Sequence, residues 1–424
     1  MLPDHRQHAG LYEFPKFQLE DTDVEGFVEE LQRFHAAFAD SFARKESREN
    51  AYTYLVGRFS PLERKTIEPI AQHVEGSRST RSLQRSISDS SLDETHALQV
   101  YHQMVNDEMG EPDGVLVFDE SGMVKKGRHS AGVARQYCGS IGKVENCQIG
   151  VYASYVSRQG YALVDKRLYL PESWFQESAA ERWQKCQIPA DLSFQTKPQQ
   201  AAEMLLEIYQ QAILPFKYIV ADTVYGNNLE FLEAAEQCIG TTYFVAMPAD
   251  TLCWKQRPLT TTKTYRYKGQ TRQKRMLKPP AQDPLTIAQF AHTLHSSCWH
   301  RRVVSEGTKG PIEYEFTRRR VTLAKDGLPW KTVWLVVKRT LGTAPTYWYY
   351  ISNASTSARL PLFVWLSGRR WAIEQCFEEA KQEVGLDHYE VRKYPGWHHH
   401  MLLCMLAHFF LWHILLMFKK TRPS

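Results

Sequence analysis

Two short apolar runs, each closed by an aspartate, constrain this chain more than any other feature. Val115-Leu116-Val117-Phe118 runs into Asp119, and Tyr218-Ile219-Val220-Ala221 runs into Asp222. Four consecutive apolar residues bounded by polar ones read as a buried strand. In an open α/β sheet, ligands bind beyond the carboxyl ends of the strands. If the two strands are adjacent and parallel, the two carboxylates meet there. Facing carboxylates repel each other unless they share a proton or hold a cation. Hard oxygen donors with no neighbouring Cys/His cluster suit Mg²⁺ or Mn²⁺. One strand-end aspartate is commonly a turn former, but two in matching contexts are harder to explain that way. Glu120 is expected on the opposite strand face from Asp119.

The surrounding pattern fits a sheet with helices on it. Residues 146–157 and 160–169 form an expected hairpin with Arg158-Gln159-Gly160 at the turn. Helices are expected at 201–214 and 227–237, with a further strand at 243–247. This order of strand, hairpin, helix, strand, helix and strand fits an α/β fold with an RNase H-like mixed sheet. Residues 250–345 differ: Thr, Tyr, Trp, Val, Lys and Arg recur in short runs broken by Gly and Pro, with 331–337 the clearest strand. They read as a β-rich insertion. Residues 349–352 lead back into the main fold, followed by long helices at 361–384 and 397–418.

The helix near 370–384 offers a third carboxylate. Arg370, Glu374, Glu378 and Lys381 share one face, and Ile373, Phe377, Ala380 and Val384 form an apolar stripe that would seat the helix on the sheet. Glu374 is then aimed at the sheet edge with a cation on either side. A solvated, salt-bridged helix face is the alternative, and Glu378 competes for the same role.

Charge is unevenly spread. Between Asp250 and Thr340 there are 19 Lys/Arg and 6 Asp/Glu, a net of +13, while the rest carries 33 against 41. A basic module on a mildly acidic remainder implies a polyanionic partner such as nucleic acid. The eight cysteines form no CxxC pair, which argues against a zinc ribbon and for reduced core residues of a cytosolic protein. Met-Leu-Pro-Asp-His-Arg at the start has no apolar h-region, so no secretory signal is expected. Residues 401–418 are nearly all apolar and about long enough for a membrane span. We read them as a buried terminal helix packed on a sheet, with a C-terminal anchor as the alternative.

The N-terminal part is helical. Apolar spacing of three and four over 24–45 predicts one helix, and Ser60-Pro61 opens another that reaches Glu75, with Pro69 expected to kink it. The stretch 77–85 follows. Helix, short turn and a small helix carrying Arg81, Gln84 and Arg85 outline a helix-turn-helix DNA reader. A solvated basic turn within a helical bundle fits equally well.

Phe118-Asp119-Glu120-Ser121-Gly122, with Lys125-Lys126-Gly127 and 132–137 including Arg135, resembles the first-aspartate block of bacterial insertion-sequence DDE transposases. Ala221-Asp222-Thr223-Val224-Tyr225-Gly226 resembles the second-aspartate block. Arg370-Trp371-Ala372-Ile373-Glu374 with Lys381 resembles the glutamate helix of the Tyr-x2-Arg-x3-Glu-x6-Lys group, most of all insertion-sequence family seven-oh-one. The resemblance covers about 113 to 413. The signature tyrosine is replaced by Ser367.

The resemblance implies that Asp119, Asp222 and Glu374 bind two Mg²⁺ (or Mn²⁺) ions per active site for in-line phosphodiester displacement. It implies that Arg370 and Lys381 grip phosphates, as an Arg fork and a Lys point charge. It also implies cutting through a hairpin on the element end, with a base out of the stack. Trp371 and the insertion tryptophans Trp254, Trp299, Trp330 and Trp334 are candidates to stack on that base. Core packing is the favoured alternative for Trp334 and the weakest for Trp299. Lys125, Lys126, Arg135, Arg318, Arg319 and Arg320 are further candidate DNA contacts.

The expected organisation is a helical DNA-binding region (1–108), a first catalytic part (109–249), the basic insertion (250–345) and a second catalytic part (346–424). The expected partners are double-stranded DNA, as terminal inverted repeats and target, and a second copy in a synaptic homodimer, with no membrane. The expected location is the bacterial cytoplasm, at the nucleoid. An RNase H-like structure-specific endonuclease or resolvase without strand transfer would share the carboxylates. A non-enzymatic DNA-binding descendant would not need them.

Overall fold

The computed structural model describes residues 21–268, 270–307 and 310–421. In chain order the elements begin with α1 (Asp21–Ala36), α2 (Lys45–Phe59), α3 (Ile67–His73), α4 (Thr80–Asp89) and α5 (Glu94–Met109). Then come β1 (Val115–Val124), β2 (Ala134–Cys138), β3 (Lys143–Val156), β4 (Tyr161–Tyr169), α6 (Ala180–Lys185) and α7 (Lys197–Gln211). They continue with β5 (Tyr218–Ala221), α8 (Thr223–Gly226), α9 (Leu229–Gln237), β6 (Thr242–Met247), β7 (Leu252–Trp254), β8 (Thr260–Tyr267) and β9 (Gln270–Leu277). The remainder is β10 (Leu285–Thr286), α10 (Ile287–His292), β11 (His300–Gly307), β12 (Gly310–Lys325), β13 (Leu328–Arg339), β14 (Tyr347–Ser352), α11 (Leu360–Arg369), α12 (Trp371–Gln382) and α13 (Tyr394–Thr421). The fold class is mixed α/β, with parallel and antiparallel strands and helices on them. The described residues divide into two compact units, a larger one within 21–217, 233–239 and 370–421 and a smaller one within 218–232 and 240–369.

In the larger unit, β3 is central. It pairs antiparallel with β1 on one side and with β4 and β2 on the other. The expected hairpin is β3–β4. The β1 strand is longer than its apolar run. It continues through Glu120-Ser121-Gly122, so Asp119 sits mid-strand opposite Tyr152 and not at a strand end. Gly122 allows this, because a Cβ there would lie 2.6 Å from Cys138 Sγ. Thr196 and Gln199 form a capping box that starts α7 four residues earlier than the apolar spacing suggests.

The α13 helix is the axis of this unit. It is long and apolar enough to cross a membrane, yet 72% of its most apolar window is buried inside the protein. It packs against β4 and against helices α2, α4 and α5. Each histidine of its triplet reaches a different element. His398 Nδ1 lies 3.4 Å from Glu94, His399 Nδ1 2.8 Å from the Ile87 carbonyl, and His400 Nδ1 2.8 Å from the Tyr54 hydroxyl. Burial lowers the pKa of all three, favouring the neutral ring.

The N-terminal helices differ from expectation in their breaks. The first helix ends at Ala36, and Ser60 closes α2 instead of opening the next helix. The helix near Pro69 starts only two residues before it, so the proline lies in the first turn, where no amide hydrogen is needed. Ser79 caps α4 by accepting from Ser82 N. Leu83 and Ile87 are buried while Arg81, Gln84 and Arg85 are exposed.

In the smaller unit the strand order is β10-β7-β12-β13-β14-β6-β5, with β11 on β12 and β5–β6 the parallel pair. The basic segment is therefore β-rich, and its long β12 and β13 continue directly from β14 as one sheet. The β8–β9 hairpin forms a separate two-stranded sheet. The expected 361–384 helix is two helices, α11 and α12.

Candidate active site

The larger unit brings Asp119 and Glu374 onto one cation. Ile373, Cys376, Phe377 and Ala380 are buried, and the Phe377 ring meets Tyr152 edge-on at 5.1 Å. Tyr152 is the register partner of Asp119, so this stripe seats α12 over the aspartate. Arg370, just ahead of the helix, then places Nη1 3.3 Å from Asp119 Oδ2 and Nη2 2.6 Å from Glu374 Oε1. Glu120, one residue on, faces the other way and pairs with Lys197 of α7 at 2.8 Å, as strand alternation requires. Glu378 is bonded to Gln375 and Gln382 along its own helix, which leaves Glu374 as the carboxylate directed at Asp119's cation.

Asp222 lies in the smaller unit. It follows β5 directly and caps α8 by accepting from Val224 N at 2.8 Å. A Cβ at Gly226 would lie 2.1 Å from the Ala246 carbonyl oxygen, so this turn needs glycine to lie against β6. The two aspartates therefore differ in setting, one mid-strand and one at a strand end. Among the described residues, no group of three or more His, Cys, Asp or Glu side chains is gathered around a metal position. In kind, the donors do suit a hard divalent cation, being carboxylate oxygens with no thiolate among them. The shared contact with Arg370 shows that Asp119 and Glu374 can hold one centre of positive charge together.

The other expected contacts divide. Lys126 and Arg135 are exposed, and so is Trp371, at 42%. Lys381 is half-buried, and burial lowers its pKa against the opposing pull of Asp387. Two of these candidates, Lys125 and Trp299, already have partners within the protein. The Lys125 amine is pinned inside the fold, donating to the Tyr389 carbonyl at 2.9 Å and lying 3.1 Å from its ring centroid. Burial pushes its pKa down to about 7. Trp299 is buried, its ring centroid 3.9 Å from the Arg339 guanidinium and 6.1 Å from the Tyr347 ring. Trp334 and Trp254 are buried as core residues, donating to Ser355 and Gln282 carbonyls. Trp330 is half-buried with Lys331 4.5 Å from its ring centroid. Ser367 turns its hydroxyl back onto the Val364 carbonyl at 2.7 Å.

Arg318, Arg319 and Arg320 line a cavity of about 440 Å³ with His300, Arg302 and Trp334. The guanidiniums of Arg302, Arg318, Arg319 and Arg320 donate only to backbone carbonyls, and among the described residues none has a carboxylate partner. Sequence reading passed over Trp348, which is 36% exposed with Lys338 4.6 Å from its ring centroid and Tyr314 edge-on. Alternation along 347–350 was the available signal, since it separates Trp348 from the inward Tyr349.

A family model described as DDE superfamily endonuclease matches residues 37–311, a span that holds Asp119 and Asp222 and stops before Glu374. A probable transposase for insertion sequence element IS701 from Microchaete diplosiphon is 30% identical over 205 residues, 46% of this chain and 48% of that protein. The chain thus spans about half the length of this curated relative. Among solved structures, a piggyBac transposase synaptic complex with hairpin DNA overlaps 89% of this chain and 68% of that one, at 8% identity and a TM-score of 0.43, too low to carry the fold. Endonucleases of this superfamily use divalent metal ions, generally Mg²⁺ or Mn²⁺. The match over most of the chain answers the question the paired aspartates raised: this protein belongs to the DDE superfamily endonucleases.

Proposed function

We propose that the chain is a DNA transposase, cutting and joining the ends of an insertion sequence, with Asp119, Asp222 and Glu374 as its metal-holding carboxylates. The observation that carries this reading is the Arg370 bridge, which joins carboxylates 255 positions apart on one cation. Asp222 is proposed to complete the trio from an RNase H-like arrangement of the two aspartate strands. Two divalent ions bound there would supply an activated oxygen nucleophile and stabilise the leaving oxygen. The chain's own residues do the rest. Arg370 keeps Asp119 and Glu374 aligned and can turn its fork to a phosphate once the carboxylates are otherwise neutralised. Trp371, exposed beside it, offers a stacking face for an unstacked base, as a hairpin step would need.

The α4 helix is proposed as the sequence reader, its exposed Arg81, Gln84 and Arg85 matching guanine and adenine edges. The arginine-lined cavity is proposed to grip phosphates. A homodimer holding two terminal repeats is the proposed working form.

The test is Mg²⁺-dependent cleavage of duplexes carrying the DNA that flanks the coding gene. Asp119→Asn, Asp222→Asn and Glu374→Gln should each abolish cleavage and leave binding largely intact. Full cleavage by Glu374→Gln, with loss instead in Glu378→Gln, would overturn the third ligand. Cleavage without joining of ends to a target duplex would favour the endonuclease reading.

A further inference from the structure

The β8–β9 ribbon is built against its own stability. It forms a sheet of two strands only, and nearly all its side chains are exposed. A lone two-stranded hairpin is marginal in water. Its register makes matters worse, placing Lys263 directly opposite Lys274. Like charges at opposed positions are destabilising. No counter-charge is near in sequence, since residues 251–282 hold nine Lys/Arg and no Asp/Glu.

The two faces differ in chemistry. Thr262, Thr264 and Arg266 share one face with Thr271, Gln273 and Arg275, because their register partners are Arg275, Gln273 and Thr271. Short hydroxyls, an amide and arginines are the groups that hydrogen-bond base edges. The opposite face carries the lysine pair with Tyr265 opposite Arg272. Eight residues of antiparallel strand extend about 27 Å, the length of roughly eight base pairs. A major groove about 12 Å wide admits a two-stranded ribbon.

We propose that this ribbon lies in the major groove of double-stranded DNA, with the Thr/Gln/Arg face toward the bases and the Lys263–Lys274 pair meeting flanking phosphates. The proposal rests on the reading that the chain acts on DNA, and assigns to the ribbon a contact separate from the arginine-lined cavity. Cross-strand repulsion that the free protein carries is relieved when phosphates lie beside it.

The test uses the full chain and a duplex of the DNA flanking the coding gene. Lys263→Glu turns the repelling pair into an attracting one. A ribbon with a purely structural role gains from that change. A groove-binding ribbon loses a phosphate contact and gains a repulsion. The expected result is unfolding temperature unchanged or raised, together with weaker binding and a log-affinity against log-salt slope shallower by at least about 1. Gln273→Ala and Arg275→Gln should each remove wild-type protection of guanine N7, a major-groove atom, from methylation. An unchanged slope with intact N7 protection in all three variants, while the wild type still binds and cuts, would overturn the ribbon assignment and leave the proposed function standing. Failure of the wild type to bind any duplex would instead overturn that function, and this inference with it.

Discussion

Two sets of cations, one in each unit, are treated in opposite ways. In the larger unit one set is neutralised within the fold: buried Lys166 pairs with Glu94, Arg167 with Asp165 and Glu207, Arg158 with Glu111, and Arg370 with Asp119 and Glu374. In the smaller unit, Arg302, Arg318, Arg319 and Arg320 line a cavity with no carboxylate among the described residues, and Lys263 faces Lys274. A charge removed from water must be paired or it costs several kcal/mol. A charge left at the surface costs little and is available to a partner. The first set therefore builds structure, and the second is the one proposed to meet a polyanion.

Breaking a pair in the first set should have the largest effect. Lys166 is fully buried and burial lowers its pKa well below the usual lysine value, while Glu94 beside it favours the charged amine, which Glu94→Ala would strand. The expected loss is about 3–5 kcal/mol, read as a large drop in denaturant midpoint. A loss under about 1 kcal/mol would mean that Lys166 is held neutral. Changing the second set should leave the fold nearly untouched and move binding instead. Arg318→Gln, Arg319→Gln and Arg320→Gln together should flatten the log-affinity against log-salt slope by about 3, and an unchanged slope would place them away from DNA.

A smaller effect separates the histidines from both sets. Burial depresses His35 to about 4, and also lowers His398, His399 and His400. Between those lowered values and about 6.5 the unfolded chain binds more protons, so stability rises with pH and is lost on acidification below that value. His413 runs the other way. Glu108 and Glu30 raise its pKa against burial, so its contribution is present at low pH and fades as pH rises through that raised value. With His388, which burial also lowers, five groups against one predict net acid destabilisation of the larger unit, measurable by denaturant titration at pH 5 and pH 7. The smallest effect is expected at α4: Arg81→Ala should relax preference at one base pair by about 1–3 kcal/mol without changing stability, whereas equal weakening on scrambled DNA would make it a phosphate contact.

Periodicity made some of this legible in the sequence. The stripe of Ile373, Phe377 and Ala380 placed Glu374 beside Arg370, and Leu83 anchors α4 with Arg81, Gln84 and Arg85 outward. Asp119 was misplaced because Glu120-Ser121-Gly122 looks like a turn. Pairing of Ser121 and Gly122 with Gly150 and Ile149 overrides that local preference. The settings of Lys125 and Trp299 were not legible for a related reason. Their partners, Tyr389 and Arg339, are distant in sequence, and no local pattern announces a long-range cation–π contact.

The central claim is that Asp119, Asp222 and Glu374 hold metal together. Iron-directed cleavage of the protein tests it without relying on activity. Fe²⁺ substituted for Mg²⁺, with ascorbate and peroxide, generates radicals that cut the peptide chain near the bound ion. The account predicts three cuts, near 119, 222 and 374, all suppressed by excess Mg²⁺ and all lost together in Asp222→Asn. Cuts near 119 and 374 that persist in Asp222→Asn, with none near 222, would contradict it.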